Sequence, residues 1–358
     1  MNNRIIGIDV ARALAIFGMI LVNFKMVLGQ KGDTLVKHFS SLLDGKAAAT
    51  FVVLAGIGIA FMTNSAVNKS NLNKIKTAKK RILKRAFFLF VIGLSYIVIW
   101  PADILHFYGI YMIITLLLIQ SKPKTIFYSA IAIVIMYPIL VLFLDYELGW
   151  NFTTLEYTDF WTFNGFFRNL FFNGFHPVIP WAAFMLVGLW FGKQNLTDTR
   201  FVKKAAWVSF IIFILVQLIS KFAITFLSEG NPNTIEELET LLGTSPMPPL
   251  PFYIASGNSI AVFIISICIL ISKKFENNFI IKALTKTGQL ALTFYVAHVV
   301  FGMGLIEVFS DTELGEHSLN FSISYGLLFS FSCIVFAIIW TKYKKSGPLE
   351  WIMRKITD

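Results

Sequence analysis

Asp103 and His106 stand three residues apart in "WPADILHFYGI", at the head of one apolar run and just behind another. On a helix this spacing puts a carboxylate and an imidazole on one face. A carboxylate that accepts from one ring nitrogen leaves the other as a base, which suits proton transfer near neutral pH. The plainer reading is a helix cap, with Asp103 accepting backbone N–H groups and His106 in the first turn. The spacing fits both. A second pair with the same separation, Asp9 and Arg12, lies near the start of the chain. It reads as a local ion pair, or as a cationic anchor for a phosphorylated molecule, a task the planar guanidinium fork performs well. Asn23 follows eleven residues beyond Arg12 on the same apolar stretch, and a buried amide needs a partner.

The other histidines are less marked. His38 sits in a connection of modest polarity, His176 directly precedes Pro177, and His317 lies in a polar loop. His298 falls within "LTFYVAHVVFGMG" and reads as a hydrogen-bonding group between helices. Cys268 and Cys333 lie in apolar runs without partners at metal-ligand spacing. They read as buried thiols, and no metal site is expected.

These groups need a frame, and composition says which. Of 358 residues, 56% are hydrophobic and only 14% charged, too few charges to cover a soluble surface. The expectation is an all-α integral membrane protein. The net charge of +11 then reflects loops facing one side of a membrane rather than an affinity for nucleic acid. Ten stretches approach the ~20 apolar residues of a spanning helix: roughly 10–28, 46–64, 85–101, 104–120, 125–144, 177–192, 205–227, 251–272, 288–308 and 320–341. The first lacks a small-residue cleavage site and reads as a retained span.

Lys and Arg sort onto alternate connections. "NKSNLNKIKTAKKRILKR", "SKPK", "GKQNLTDTRFVKK", "SKKFENNFIIKALTK" and the tail, with Arg4, hold 24 of the 31 basic residues. That side is read as cytoplasmic, with both termini on it. The opposite connections are acidic, and two of them, 145–181 and 228–251, are long enough to form lids. This topology puts His38, His106 and His176 at one outer face, near Asp44 and Asp103. Residues 1–341 read as a single transmembrane domain and 342–358 as a cytoplasmic amphipathic tail. GxxxxGK[ST], GxSxG and HExxH are absent from the sequence, so an ATPase, a serine hydrolase and a zinc protease lack their signatures.

Several blocks together resemble the YeiB-like uncharacterised membrane proteins, and through them the heparan-α-glucosaminide N-acetyltransferase type. They are "RIIGIDVARALAIFGMILVNF", "DGKAAATFVVLAGIGIAF", "ADILHFYGI", "HPVIPWAAFMLVGLWFGK", "TGQLALTFYVAH" and "GPLEWIMRKIT". In the acetyltransferase type, cytoplasmic acetyl-CoA supplies an acetyl group to a sugar amine across the membrane. The resemblance implies acetyl-CoA as donor and a glycan or lipid-linked sugar as acceptor. It implies catalysis by the histidine that follows Asn23, which here is His38. Under this reading His38 or His106 is the general base, Asp103 orients an imidazole, and Asn23 donates to the developing oxyanion. His176, Tyr108 and His298 position the acceptor, and Arg12 with Asp9 anchors the donor. The expected location is the plasma membrane, with lipids as neighbours; a homodimer is left open. The alternative is a proton-coupled transporter or flippase using the same Asp and His residues.

Overall fold

The computed structural model describes residues 4–32 and 34–357. Its helices are α1 (Ile6–Leu28), α2 (Thr34–Ser41), α3 (Lys46–Asn68), α4 (Leu72–Tyr96), α5 (Leu105–Leu118), α6 (Pro123–Phe143), α7 (Phe163–Arg168), α8 (Val178–Gly192), α9 (Thr199–Ser228), α10 (Pro232–Leu242), α11 (Pro251–Lys274), α12 (Phe279–Gly288), α13 (Ala291–Ala297), α14 (Gly304–Phe309), α15 (Leu319–Tyr343) and α16 (Pro348–Thr357). Two π turns interrupt them, Asn169–Asn173 after α7 and His298–Met303 between α13 and α14. Among the described residues, the strands are one short hairpin, β1 (Trp150–Asn151) against β2 (Glu156–Tyr157). Several helix starts follow from local chemistry. Asn71, Asn278 and Ser318 each accept a first-turn backbone N–H at the heads of α4, α12 and α15.

Helices cover most of the expected spans, although the one expected at 85–101 is helical only as far as Tyr96. Among the described residues, seven helical stretches are long and apolar enough to cross a membrane, and eight if the bent pair Phe163–Asn173 and Val178–Gly192 is one span. The segments expected at 85–101 and 104–120 do not reach that standard. α4 begins thirteen residues ahead of the apolar run, in the basic "LNKIKTAKKRILKR". α5 has 14 residues, roughly 21 Å of helix against a ~30 Å hydrocarbon core. The remaining apolar surface requires lipid. Only 6% of the most apolar window of α9 is buried, and Trp207, Leu218, Phe222 and Phe226 are exposed along it. Water would not tolerate a belt of that size.

The chain forms two compact units. Unit 1 comprises Met1–Leu54, Leu196–Trp207 and Ala261–Ile356; unit 2 comprises Ala55–Asn195, Val208–Ile260 and Thr357–Asp358. In unit 1, α1 packs against α12, α13 and α15. Its buried face carries Gly7, Ala11, Ala15 and Gly18, small residues that let backbones approach where lipid supplies no hydrophobic drive between helices. In unit 2, α4 packs on α5, and α8 packs on both α5 and α6.

The tail folds as α16, with Trp351 and Ile356 exposed. Glu350 is 7% exposed and accepts from the Leu292 and Thr293 backbone N–H groups at 2.8 and 3.1 Å and from the Thr293 hydroxyl at 2.5 Å. The last helix therefore lends α13 its N-terminal cap. Burial pushes the Glu350 carboxyl above the usual glutamate range, against the pull of these hydrogen bonds.

Candidate active site

In unit 2 the chain turns between α4 and α5, and Asp103 closes the turn. Its Oδ2 accepts the His106 backbone N–H at 3.1 Å, so it does cap the first turn of α5. The same oxygen lies 2.9 Å from His106 Nδ1, and Oδ1 accepts the Tyr96 hydroxyl at 2.7 Å. The cap and the acid–base pair are one carboxylate. An ionised carboxylate only accepts, so Nδ1 carries the proton and Nε2 presents its lone pair. Nε2 is buried and has no hydrogen-bond partner among the described residues. Leaving a buried polar atom unpaired costs about 1–3 kcal/mol, which makes Nε2 a place prepared for a proton donor.

Two features missed from sequence hold this pair. Tyr96 reaches Asp103 across the turn, a contact no helical spacing announces. Gly93 lets α4 press against it: a Cβ there would stand 2.3 Å from His106 N and 2.4 Å from Asp103 Oδ2.

His176 belongs to the same unit. It is half-buried, its Nδ1 has no partner among the described residues, and the Tyr111 hydroxyl donates to its carbonyl. Its ring meets Trp181 edge-on at 4.6 Å and lies 6.0 Å from Phe107, whose own centroid is 3.9 Å from that of His106. Asp103 and His106 both lie within electrostatic reach of it. Tyr108 is buried, 5.9 Å from Tyr111 between ring centroids.

The connection expected to be a lid, 145–181, is braced rather than open. Asn173, fully buried, donates to the Tyr146 and Leu148 carbonyls and accepts from the Tyr157 hydroxyl. Arg168 grips Asp159 with one nitrogen, 2.7 and 2.6 Å from the two carboxylate oxygens. This bracing carries Phe160 to within 6.4 Å of the His106 ring.

Unit 1 holds the other candidates. Asn23 Nδ2 lies 2.9 Å from His298 Nε2, and His298 Nδ1 contacts the Tyr295 carbonyl. A carbonyl accepts, so Nδ1 carries the proton and Nε2 accepts from the Asn23 amide. The amide expected to be an oxyanion donor thus gives one hydrogen to an imidazole. His298 itself is 0% exposed with both nitrogens engaged. His38 is exposed on α2, its ring edge-on to Phe39. Of the three histidines expected at one face, the structure brings His106 and His176 together in unit 2, while His38 belongs to unit 1. Asp9 is 3% exposed and shared by Arg12 at 2.8 Å and Arg4 at 2.7 Å. Between two guanidiniums it leaves net positive charge.

Lys25 also escaped the sequence reading. It is 5% exposed and donates to both oxygens of Asp44 at 2.7 and 2.8 Å. The signal was present: a lysine inside an apolar span needs a counter-charge, and Asp44 stands in the following connection.

Lipid-facing helices enclosing hydrogen-bonded carboxylate and imidazole groups define an all-α multi-pass membrane protein. Residues 4–227 match the family described as "Heparan-alpha-glucosaminide N-acetyltransferase, catalytic", and the chain belongs to that family. Residues 190–358 match "Protein of unknown function (DUF418)", so the matches together extend from Arg4 to the last residue. The chain is also 21% identical, over 412 aligned positions, to the "Uncharacterized protein YxaH" of Bacillus subtilis (strain 168), with 99% of this chain and 94% of the relative covered. The YeiB-like resemblance and its kinship to the acetyltransferase type are borne out.

Proposed function

We propose that this protein is a membrane-embedded acyltransferase. It moves an acyl group, acetyl in the first instance, from cytoplasmic acyl-CoA to a hydroxyl or amine of an extracytoplasmic sugar or envelope glycan. One observation carries the proposal: the buried Asp103–His106 pair with Nε2 unpartnered. In this reading Nε2 removes the proton of the acceptor as its oxygen or nitrogen bonds to the acyl carbon. The thioester C–S bond breaks and CoA leaves as the thiolate, which takes up a proton. Asp103 holds the ring and stabilises the imidazolium formed on the way, a role that does not require it to take the proton. His176 and Tyr108 position the acceptor.

The unit 1 residues take the remaining proposed roles. Arg12, with Asp9, anchors the donor phosphates, since its guanidinium keeps donors beyond the one Asp9 uses. Asn23 retains a second amide hydrogen for the oxyanion, held in direction by His298. His38 is a second proposed base. The topology proposed is ten spans, with both termini in the cytoplasm at the plasma membrane. It is supported by the charge sorting of the connections.

The test is release of CoA thiol by the purified protein in vesicles with acetyl-CoA and an amino-sugar acceptor. The His106→Gln variant should lose about 10²–10⁴ of the rate, the usual contribution of a general base. Undiminished turnover in that variant removes the proposal. pH-coupled solute movement without thiol release would favour a transporter.

A further inference from the structure

We infer that a cavity at the head of α1 in unit 1 is a phosphate-binding site, separate from the Asp103–His106 chemistry and beyond the acyltransfer reading. The cavity encloses about 610 Å³. Three helix ends form it: the first turn of α1 with Ile6 and Gly7, the start of α9 with Thr199, and the last turn of α11 with Ser272 and Lys273.

The donors converge from different chemistries. The first turn of α1 has no side-chain cap, since Ile5 precedes it. Ile6 and Gly7 of that turn line the space, while the Ile8 N–H is taken by the Ile5 carbonyl, so the positive end of the helix dipole and the two leading N–H groups lie at its wall, a combination that favours oxyanions. Gly7 makes this possible, because a Cβ there would stand 2.4 Å from the Ile269 Cα and hold α1 away from α11. Lys273 reaches into the same wall and donates to the Thr199 hydroxyl at 2.7 Å and, at 3.5 Å, to the Thr197 carbonyl, which leaves its ammonium one further hydrogen. Arg4 lines the space while one of its nitrogens holds Asp9.

The independent observation is Ser272. It is 2% exposed, and its Oγ has no hydrogen-bond partner among the described residues. A helical serine ordinarily donates back to a carbonyl one turn earlier; this hydroxyl does not, and it lines the cavity. A buried hydroxyl left in that state is costly unless a ligand completes it.

One carboxylate opposes this, Glu276, which also lines the cavity. It is exposed, where water and salt screen its charge, and two cations outnumber it. A tetrahedral anion with several acceptor oxygens matches a hydroxyl, an ammonium, a guanidinium and backbone N–H groups arriving from separate walls. The space exceeds a lone phosphate, so the group arrives on a larger body: a phospholipid headgroup or a soluble phosphate compound.

The experiment uses the purified full chain in a phosphate-free maltoside detergent, in two arms. One titrates inorganic pyrophosphate; the other adds phosphatidylglycerol and counts retained lipids by native mass spectrometry. Saturable binding in the first arm assigns a soluble ligand, and in the second a headgroup. In whichever arm binds, Lys273→Gln should weaken affinity roughly tenfold and Ser272→Ala roughly threefold to tenfold, while Lys84→Gln on α4 leaves it unchanged. Ser272→Ala deletes only an unpartnered hydroxyl, so its ligand-free thermal midpoint should equal or exceed that of the native chain. No saturable binding in either arm, or equal weakening by Lys84→Gln, or indifference to both cavity substitutions, overturns the site.

Discussion

His106 in unit 2 and His298 in unit 1 are sealed to almost the same degree, at 1% and 0% exposure. Each has a π turn near its cluster, Asn169–Asn173 before His176 and His298–Met303 at His298 itself. Both present Nδ1 to an oxygen and so fix the same tautomer. They differ in what meets Nε2. At His298 it accepts from the Asn23 amide, so both ring nitrogens are engaged and the imidazole joins the π turn after α13 to α1. At His106 no partner fills that position among the described residues, and the opposing oxygen belongs to a carboxylate rather than a peptide carbonyl. A peptide oxygen holds a neutral ring. A carboxylate also favours the imidazolium that proton transfer creates. Burial and residue type are shared; the partner at Nε2 and the kind of oxygen at Nδ1 separate the engaged ring of His298 from that of His106, the proposed base.

The largest expected effect sets these two rings against each other. His106→Gln should cost about 10²–10⁴ in CoA release, whereas His298→Gln should change turnover by less than about tenfold and act mainly on stability. Equal losses of turnover in the two variants would erase the distinction. Gly93→Ala comes next. The added methyl must displace the His106 backbone or the Asp103 carboxylate, so the unfolding free energy should fall by about 1–3 kcal/mol. CoA release should fall with it, as the pair is moved off its geometry. A neutral outcome in both measurements would mean that α4 gives way freely at this point. Asn23→Leu then tests the closed pair: it removes the amide that meets His298 Nε2 and should cost about 1–3 kcal/mol in thermal or denaturant unfolding.

The smallest effect concerns the tail. The folded-state value of the Glu350 carboxyl lies above its ordinary ~4.3. Its stabilising contribution is therefore full below that ordinary value and declines as pH rises through the raised one. Limited proteolysis at 344–347 should accordingly quicken over that rise in the native chain. Glu350→Gln, which keeps an acceptor without a charge, should show no such dependence. A native profile flat in pH would contradict the burial of this carboxyl.

The frame was largely legible beforehand because it is repetitive. Long apolar stretches betray helices, and most of the expected spans are helical along their length. The exceptions are informative. α4 extends into a basic segment because helix propagation needs only backbone geometry and Lys and Arg are good formers. α5 stops short because "SKPK" ends it with Pro123 opening α6. The candidate site was legible only as pieces. "ADILH" announced a capped, titratable pair, but not that one carboxylate serves both purposes. His38, read from its place after Asn23, is exposed on α2, and Lys25 was passed over inside an apolar run whose charge is met by Asp44.

What the sequence determined by itself was the class of solvent and the inventory. An apolar fraction this high demands lipid, because backbone and apolar side chains must each find a compatible surround. Three-residue spacing brought Asp103 to His106 and Asp9 to Arg12 without help from the rest of the chain. Only the tertiary structure decided which buried ring nitrogens lack a partner among the described residues, His106 Nε2 and His176 Nδ1. Asn23 and His298 are 275 residues apart, and Tyr96 meets Asp103 across a turn. Hydrogen bonds act over about 3 Å in space, and no local pattern records which distant groups folding will bring within that reach.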